Sequence, residues 1–263
     1  MRLIDTHCHL DHEYFKNDYE QVMERAYAAG VTCWINPSLQ FENIPTVLAF
    51  TERYEGCYAG VGIYPRYCKD WQVADIDRVR QAAQYKKVVA IGEIGLDYSF
   101  NIKSSKEVQF AVLSAHLALA AELGLPVLLH NRDLQTYADT LHLVKESPLV
   151  GRERVGVLHH FNADYDTARQ ALDLGLYLSF AGPVTYPNAK KLPALVARLP
   201  LDRLLLETDA PCMPPHPYRS SKRSEPAHVR VIAEAIAIIH KRSVEEIAQI
   251  TTRNAIRLFN LRD

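Results

Sequence analysis

A chain of 263 residues, nearly half of them apolar and under a quarter charged, has the composition of a soluble globular protein and the length for one large α/β barrel or two small domains. A formal net charge of −1 excludes a general electrostatic grip on nucleic acid, so any phosphate binding has to be local. Five cysteines without a CxxC pair argue against a disulfide framework or a thiolate zinc finger, and no segment reaches the roughly 18 uninterrupted apolar residues of a membrane span, so a cytoplasmic protein is expected.

The opening stretch, MRLIDTHCHL, has no extended apolar run and reads as neither secretory signal nor anchor. Its apolar part, Leu3–Thr6, reads as a strand. Residues two apart on a strand share a face, so Leu3, Asp5, His7 and His9 align and Cys8 is directed away. A helix is expected over Asn17–Ala29, stopping at Gly30. Strands follow at Val31–Asn36 and Tyr58–Ile63, the second leading into Tyr64, Pro65 and Arg66. Val88–Glu93 closes on a carboxylate. A helix over Val108–Leu123 ends at Gly124, with Pro126 just beyond, and Val127–His130 ends on an imidazole with Arg132 after it. Val155–His159 ends the same way, and the helix Asp164–Leu174 stops at Gly175. The last strands are Leu176–Phe180 and Leu204–Thr208, the latter carrying Glu207 and running into Asp209. The loop beyond holds Arg219, Lys222 and Arg223. Ser243, with Glu246 three residues on, is a capping box for a helix through Ala248.

Eight apolar runs alternating with helices imply parallel strands buried on both faces and right-handed βαβ units. The expected fold is α/β, a single (β/α)8 TIM barrel over residues 1–263; an open doubly wound sheet competes with it. No internal repeat, low-complexity tract or long linker divides the chain.

His7, His9, Glu93, His130, His159 and Asp209 all fall at carboxyl ends of these strands, the rim where barrel active sites are assembled. Any one of these histidines, taken alone, is more often a structural residue than a ligand. Together they would be costly to bury without a shared partner, and a divalent metal supplies one that suits neutral imidazoles and carboxylates.

At these residues the sequence resembles the TatD family of metal-dependent deoxyribonucleases within the amidohydrolase superfamily. The resemblance is carried by DTHCHLD (Asp5–Asp11), GEIGLDY (Gly92–Tyr98), PVLLHNR (Pro126–Arg132), GVLHHF (Gly156–Phe161), LLLETDAP (Leu204–Pro211) and KRSEP (Lys222–Pro226). It implies two divalent metal ions (Mg, Mn or Zn). His7, His9, Glu93 and Asp209 would form a first site, and Glu93, His130 and His159 a second, with Glu93 bridging. His160 stands where relatives usually carry another residue, and strand alternation points it away from His159. Tyr64-Pro65 replaces a usual His-Pro, and Asn162-Ala163 a usual Ser-Gly.

Such a pair of cations can clamp a phosphodiester and activate a water. Asp209 is then expected to bind metal and to orient or deprotonate that water. Glu207 is either a partner steering a histidine or a water, or a buried structural carboxylate. Tyr64, Arg66, Arg132, Arg219 and Arg223 are the candidate substrate contacts, with an Arg223–Glu225 ion pair shaping the last loop. Tyr98 either stacks on a base or packs. The leading functional expectation is a 3′-5′ exonuclease-type deoxyribonuclease. The alternatives are hydrolysis of another ester or amide such as aminoacyl-tRNA, and a subunit role with protein partners in a multiprotein antiphage system, a setting in which some TatD-like proteins occur.

Overall fold

The computed structural model describes residues 1–221 and 223–262; the reading of Lys222 falls outside them. Eight parallel strands follow one another round the sheet in chain order: β1 (Leu3–Asp5), β2 (Val31–Pro37), β3 (Cys57–Val61), β4 (Val88–Leu96), β5 (Val127–Asn131), β6 (Gly156–Leu158), β7 (Tyr177–Phe180) and β8 (Leu204–Leu206). Helices α1 (Tyr19–Ala28), α2 (Ile44–Arg53), α3 (Ile76–Ala82), α4 (Lys106–Leu123), α5 (Leu134–Glu146), α6 (Tyr165–Asp173), α7 (Lys191–Val196), α8 (Val229–His240) and α9 (Val244–Phe259) complete the alternation. This is the (β/α)8 barrel, and the open-sheet alternative is excluded by the seam between the last strand and the first. There the Thr6 N–H donates to the Leu206 carbonyl at 3.0 Å, the Asp209 N–H to the His7 carbonyl at 2.9 Å, and Cys8 bridges Ala210 in parallel register.

The strand period of two sorts the apolar residues into two layers. On β5, Val127 and Leu129 join the large cluster shared with the helices, whereas Leu128 joins a smaller one; on β8, Leu204 and Leu206 divide from Leu205 in the same way. The smaller cluster collects Ile4, Ile35, Val89, Val157 and Tyr177 as well, and Leu258 and Phe259 at the end of α9 pack against it. It is the barrel interior. Each fully buried aliphatic side chain contributes roughly 1.5–3 kcal/mol to folding before entropy is counted.

The helices begin and end where local chemistry dictates. Ser105, Asp133 and Asp164 accept the third-residue N–H of α4, α5 and α6, and Ser243 with Glu246 forms the reciprocal capping box of α9, which runs past Ala248 to Phe259. The expected helices shift by a residue or two at their ends. Cys8, Cys33, Cys57 and Cys68 are buried and Cys212 is exposed, all five free. Among the described residues no helix is long and apolar enough to cross a membrane.

One close approach sets the depth of the site. A Cβ on Gly95 would lie 2.0 Å from the His130 carbonyl oxygen, so β4 and β5 touch backbone to backbone just above Glu93. Gly95→Ala is therefore expected to lower stability by roughly 3 kcal/mol through forced separation of these strands. Urea unfolding measures it, and an unchanged midpoint would show that the strands are not held this tightly.

Candidate metal centre

The strands deliver their polar ends to one mouth, a pocket of about 580 Å³ lined among others by His9, Tyr64, Arg66, Glu93, His130, Arg132, His159, His160 and Asp209. Glu93, from β4, is almost fully buried and divides its carboxylate between two histidine pairs. Oε2 lies 3.3 Å from His7 Nε2 and 3.4 Å from His9 Nε2; Oε1 lies 3.1 Å from His130 Nδ1 and 3.1 Å from His159 Nε2. Within the pairs, His7 Nε2 and His9 Nε2 are 3.2 Å apart, and His130 Nδ1 and His159 Nε2 are 3.1 Å apart. Asp209 Oδ1 is 3.9 Å from His9 Nε2.

Donor atoms converge in three overlapping sets, each within 4.8 Å: His7, His9 and Glu93; Glu93, His130 and His159; and His7, His159 and Asp209. All six residues singled out in the sequence are thus brought together. Asp209 falls in a set with His159 as well as His7, so it sits between the two expected sites rather than wholly in one. Imidazole nitrogens that face each other across one carboxylate oxygen cannot all be satisfied by hydrogen bonds, since a neutral ring has one donor and one acceptor. Lone pairs converging on a common point are what a divalent cation requires, so the residues present fit such ions.

Electrostatics agree with a cluster short of positive charge. Burial opposes the Glu93 carboxylate, but His159 and His7 nearby and hydrogen bonds from His130 and His159 hold it well below the usual range. Asp209 is likewise held down against burial by His160, His159 and His7. Burial opposes protonation of His9, yet Glu93 and then Asp209 raise it to about 9. His7, buried beside His159, moves down, and the two rings stack with centroids 4.0 Å apart.

Local backbone departs from strand alternation at two places. Leu3 belongs to the layer under the helices and Ile4 to the interior, so continued alternation would carry His7 and His9 outward. The strand instead ends at Asp5 and the chain bends at Thr6, which turns both imidazoles into the mouth. Asp5 stays in the seam, where it accepts the Thr208 N–H (2.9 Å), the Thr208 hydroxyl (2.5 Å) and the His7 N–H (3.2 Å). Burial lifts its carboxyl to about 8, with the Thr208 bonds opposing.

His160 is the second place. Its φ of 47° is left-handed, and so is the 53° of Asp209. His160 is expected to point away from His159, and the ring centroids are 6.3 Å apart, but its ring still enters the same pocket, with Nδ1 3.4 Å from Asp209 Oδ2. Fully buried Glu207 holds this turn, accepting the His160 N–H at 2.6 Å and lying 3.5 Å from His159 Nδ1.

Of the expected substrate contacts, Tyr64, Arg66 and Arg132 line the pocket, whereas Arg219 and Arg223 are not among its lining residues. Arg219 covers the Tyr186 ring at 4.1 Å. Arg223 pairs with Asp18, and Glu225 with Arg25 at 2.7 Å, in place of the expected Arg223–Glu225 pair. Tyr98 donates to Asp139 at 2.7 Å and lies under Lys106, a packing role. The residue that sequence reasoning overlooked is Asp97. It follows directly on β4, and its carboxylate meets Tyr64, His130 and Arg132; its place in GEIGLDY was the available signal.

With this geometry in hand, comparison with known proteins is specific. Residues 4–260 match the family described as TatD related DNase. The uncharacterized metal-dependent hydrolase YabD of Bacillus subtilis is 42% identical over 98% of this chain and 99% of its own. The 3′-5′ ssDNA/RNA exonuclease TatD of Cronobacter sakazakii is 35% identical over 98% of this chain and 97% of its own. The crystal structure of YjjV, a TatD homologue from Escherichia coli, superposes with a TM-score of 0.91 at 35% identity, covering 99% of both chains.

His9 makes the metal-free state sensitive to pH in a defined direction. Its folded value of about 9 exceeds the ordinary 6.5, so its stabilising contribution is complete below pH 6.5 and is lost as pH rises through 9. With chelator present, the melting temperature should fall across that window. With divalent metal the fall should vanish or reverse, because ligands bind as neutral imidazoles. A chelated protein that gains stability across the window would contradict the charge assignment.

Proposed function

The chain belongs to the TatD-related DNase family and is a metal-dependent hydrolase, and on that premise we propose that it hydrolyses phosphodiester bonds of nucleic acid, removing nucleotides from a 3′ end. The observation that carries this reading is Glu93, whose two carboxylate oxygens each face a separate histidine pair at the floor of an open pocket. His7, His9 and Glu93 would hold one cation and Glu93, His130 and His159 the other, with Asp209 between them. Bound there, the cations would polarise the phosphoryl group and make a water acidic enough to attack at neutral pH.

The protein's own groups do the rest. Asp209 orients the attacking water and takes its proton; the water oxygen bonds to phosphorus as the bond to the leaving sugar oxygen breaks, and that oxygen is protonated from solvent. Glu207 keeps His159 and the backbone of His160 in place, which in turn sets the Asp209 carboxylate. Arg66 and Arg132 stand at the pocket to receive the substrate's phosphates, a local positive edge on a chain of net charge −1. A pocket at the mouth of a barrel admits a strand end or a loosened strand more readily than intact duplex. The 3′-5′ polarity follows the named activity of the Cronobacter relative.

The test is cleavage of 5′- and 3′-labelled single-stranded DNA by chelator-stripped protein resupplied with magnesium, manganese or zinc. Metal should restore shortening from the 3′ end, and Asp209→Asn should reduce turnover by about 10²–10⁴-fold with its circular dichroism unchanged. Metal-loaded protein that leaves DNA intact but releases the amino acid from an aminoacyl ester would replace this reading with acyl hydrolysis.

A further inference from the structure

We propose that Tyr64 and Asp97 form a hydrogen-bond relay that dictates which nitrogen of His130 faces the metal, so that Tyr64 is a positioning residue for the second cation and not a substrate contact. The inference rests on the two-cation reading above and concerns how one of its ligands is prepared.

His130 presents opposite edges to two different environments. Nδ1 faces the carboxylate and imidazole of the cluster, 3.1 Å from Glu93 Oε1 and 3.1 Å from His159 Nε2. Nε2 faces away from it, 3.2 Å from Tyr64 Oη. The same hydroxyl lies 3.3 Å from Asp97 Oδ2, and His130 Nε2 is 3.7 Å from that oxygen.

Donor counting then leaves one arrangement. A phenol has one hydrogen, and an ionised carboxylate only accepts. Asp97 is surrounded by donors. Its Oδ1 accepts the Ser99 N–H at 2.9 Å and the Ser99 hydroxyl, and its Oδ2 faces the Arg132 Nε at 3.4 Å. Tyr64 must therefore give its hydrogen to Asp97, because a hydroxyl lone pair turned to the carboxylate would be repelled. The Tyr64 oxygen is left as an acceptor, so His130 Nε2 has to carry a proton. With a cation bound in place of the hydrogen that Nδ1 otherwise shares with Glu93, Nδ1 would be the bare lone pair and Nε2 the donor to Tyr64. Carboxylate, phenol and imidazole act in line, a longer version of the carboxylate–histidine pairing that orients metal ligands.

The relay is anchored at both ends. The Asp97 backbone is locked by the buried Gln109 of α4, which accepts its N–H at 2.9 Å and donates to its carbonyl at 2.9 Å. The Tyr64 N–H donates to the Leu39 carbonyl at 2.8 Å, and the Tyr64 ring packs edge-on against His130 with centroids 4.7 Å apart. His130 is also treated differently from its neighbours. The outer nitrogens of His7, His9 and His159 are all buried without a hydrogen-bond partner, that of His159 lying 3.5 Å from Glu207 Oε1. Only at His130 does a neutral hydroxyl stand between the imidazole and the charge. The relay also occupies the Tyr64 hydroxyl fully, which leaves phosphate recognition on this side of the pocket to Arg66 and Arg132.

Calorimetric titration of manganese into chelator-stripped full-length protein tests the relay. Wild type should take up two equivalents, and the event abolished by His130→Ala marks the second site. Tyr64→Phe, which removes one oxygen, should weaken that event by about 10–100-fold and leave the other within about twofold. In zinc-loaded protein, long-range ¹H–¹⁵N correlations should show a His130 Nε2–H held against solvent exchange in wild type and exchanging freely in Tyr64→Phe. If Tyr64→Phe does not fold, Asp97→Asn should produce the same selective weakening. Two equivalents in both proteins, with matching affinities and equal exchange of the His130 Nε2 proton, would overturn the relay while leaving the two-cation reading intact. Fewer than two equivalents in wild type would overturn that reading, and the relay with it.

Discussion

One buried carboxylate organises the mouth of this barrel. Glu93 is enclosed among four imidazoles, and each of its oxygens is the nearest anion to two of them. A lone carboxylate at that depth would be expensive to desolvate, and four unpaired imidazoles would be hardly less so. Each is tolerable only because of the others. Because the imidazoles arrive from the β1, β5 and β6 ends while the carboxylate comes from β4, this mutual dependence ties four separated stretches of chain to one point.

Much of the architecture was readable from the residues. Continuous apolar runs such as VVAI and LLL announce strands buried on both faces, and a polar residue at the end of such a run marks the carboxyl rim. The six convergent side chains were identifiable because each lies at or just beyond the carboxyl end of an apolar strand. What alternation could not supply was the behaviour of backbone beyond the last paired residue. His7 and His9 reach the site because the chain bends at Thr6, not because they share a face with Leu3. His160 reaches it through a left-handed φ. Neither event has a glycine or proline to announce it, and both depend on tertiary contacts: the seam hydrogen bond to the His7 carbonyl in one case, Glu207 in the other.

The basic residues show the same division. Arg219, Arg223, Arg66 and Arg132 all look alike in sequence, lying just after strands or in the last loop. In the fold, Arg223 is consumed by Asp18 and Arg219 by an aromatic face, whereas Arg66 and Arg132 remain at the pocket. An arginine's role is set by its neighbours in space, an aspartate for Arg223, an aromatic ring for Arg219 and the pocket-side Asp97 for Arg132, which sequence proximity does not reveal. Asp97 went unremarked for the converse reason: its partners come from the ends of two other strands, Tyr64 after β3 and His130 with Arg132 at β5.

The seam where the barrel closes has a consequence in time as well as in space. The first imidazoles stand at the amino terminus and the last carboxylate more than two hundred positions later, hydrogen-bonded through the His7 carbonyl to the Asp209 amide. During synthesis the early strands can pair and their helices can dock, but the cluster stays open on one side until β8 leaves the ribosome. A growing chain thus carries an incomplete cluster for most of its elongation, and the cluster is completed only with the strand that closes the barrel.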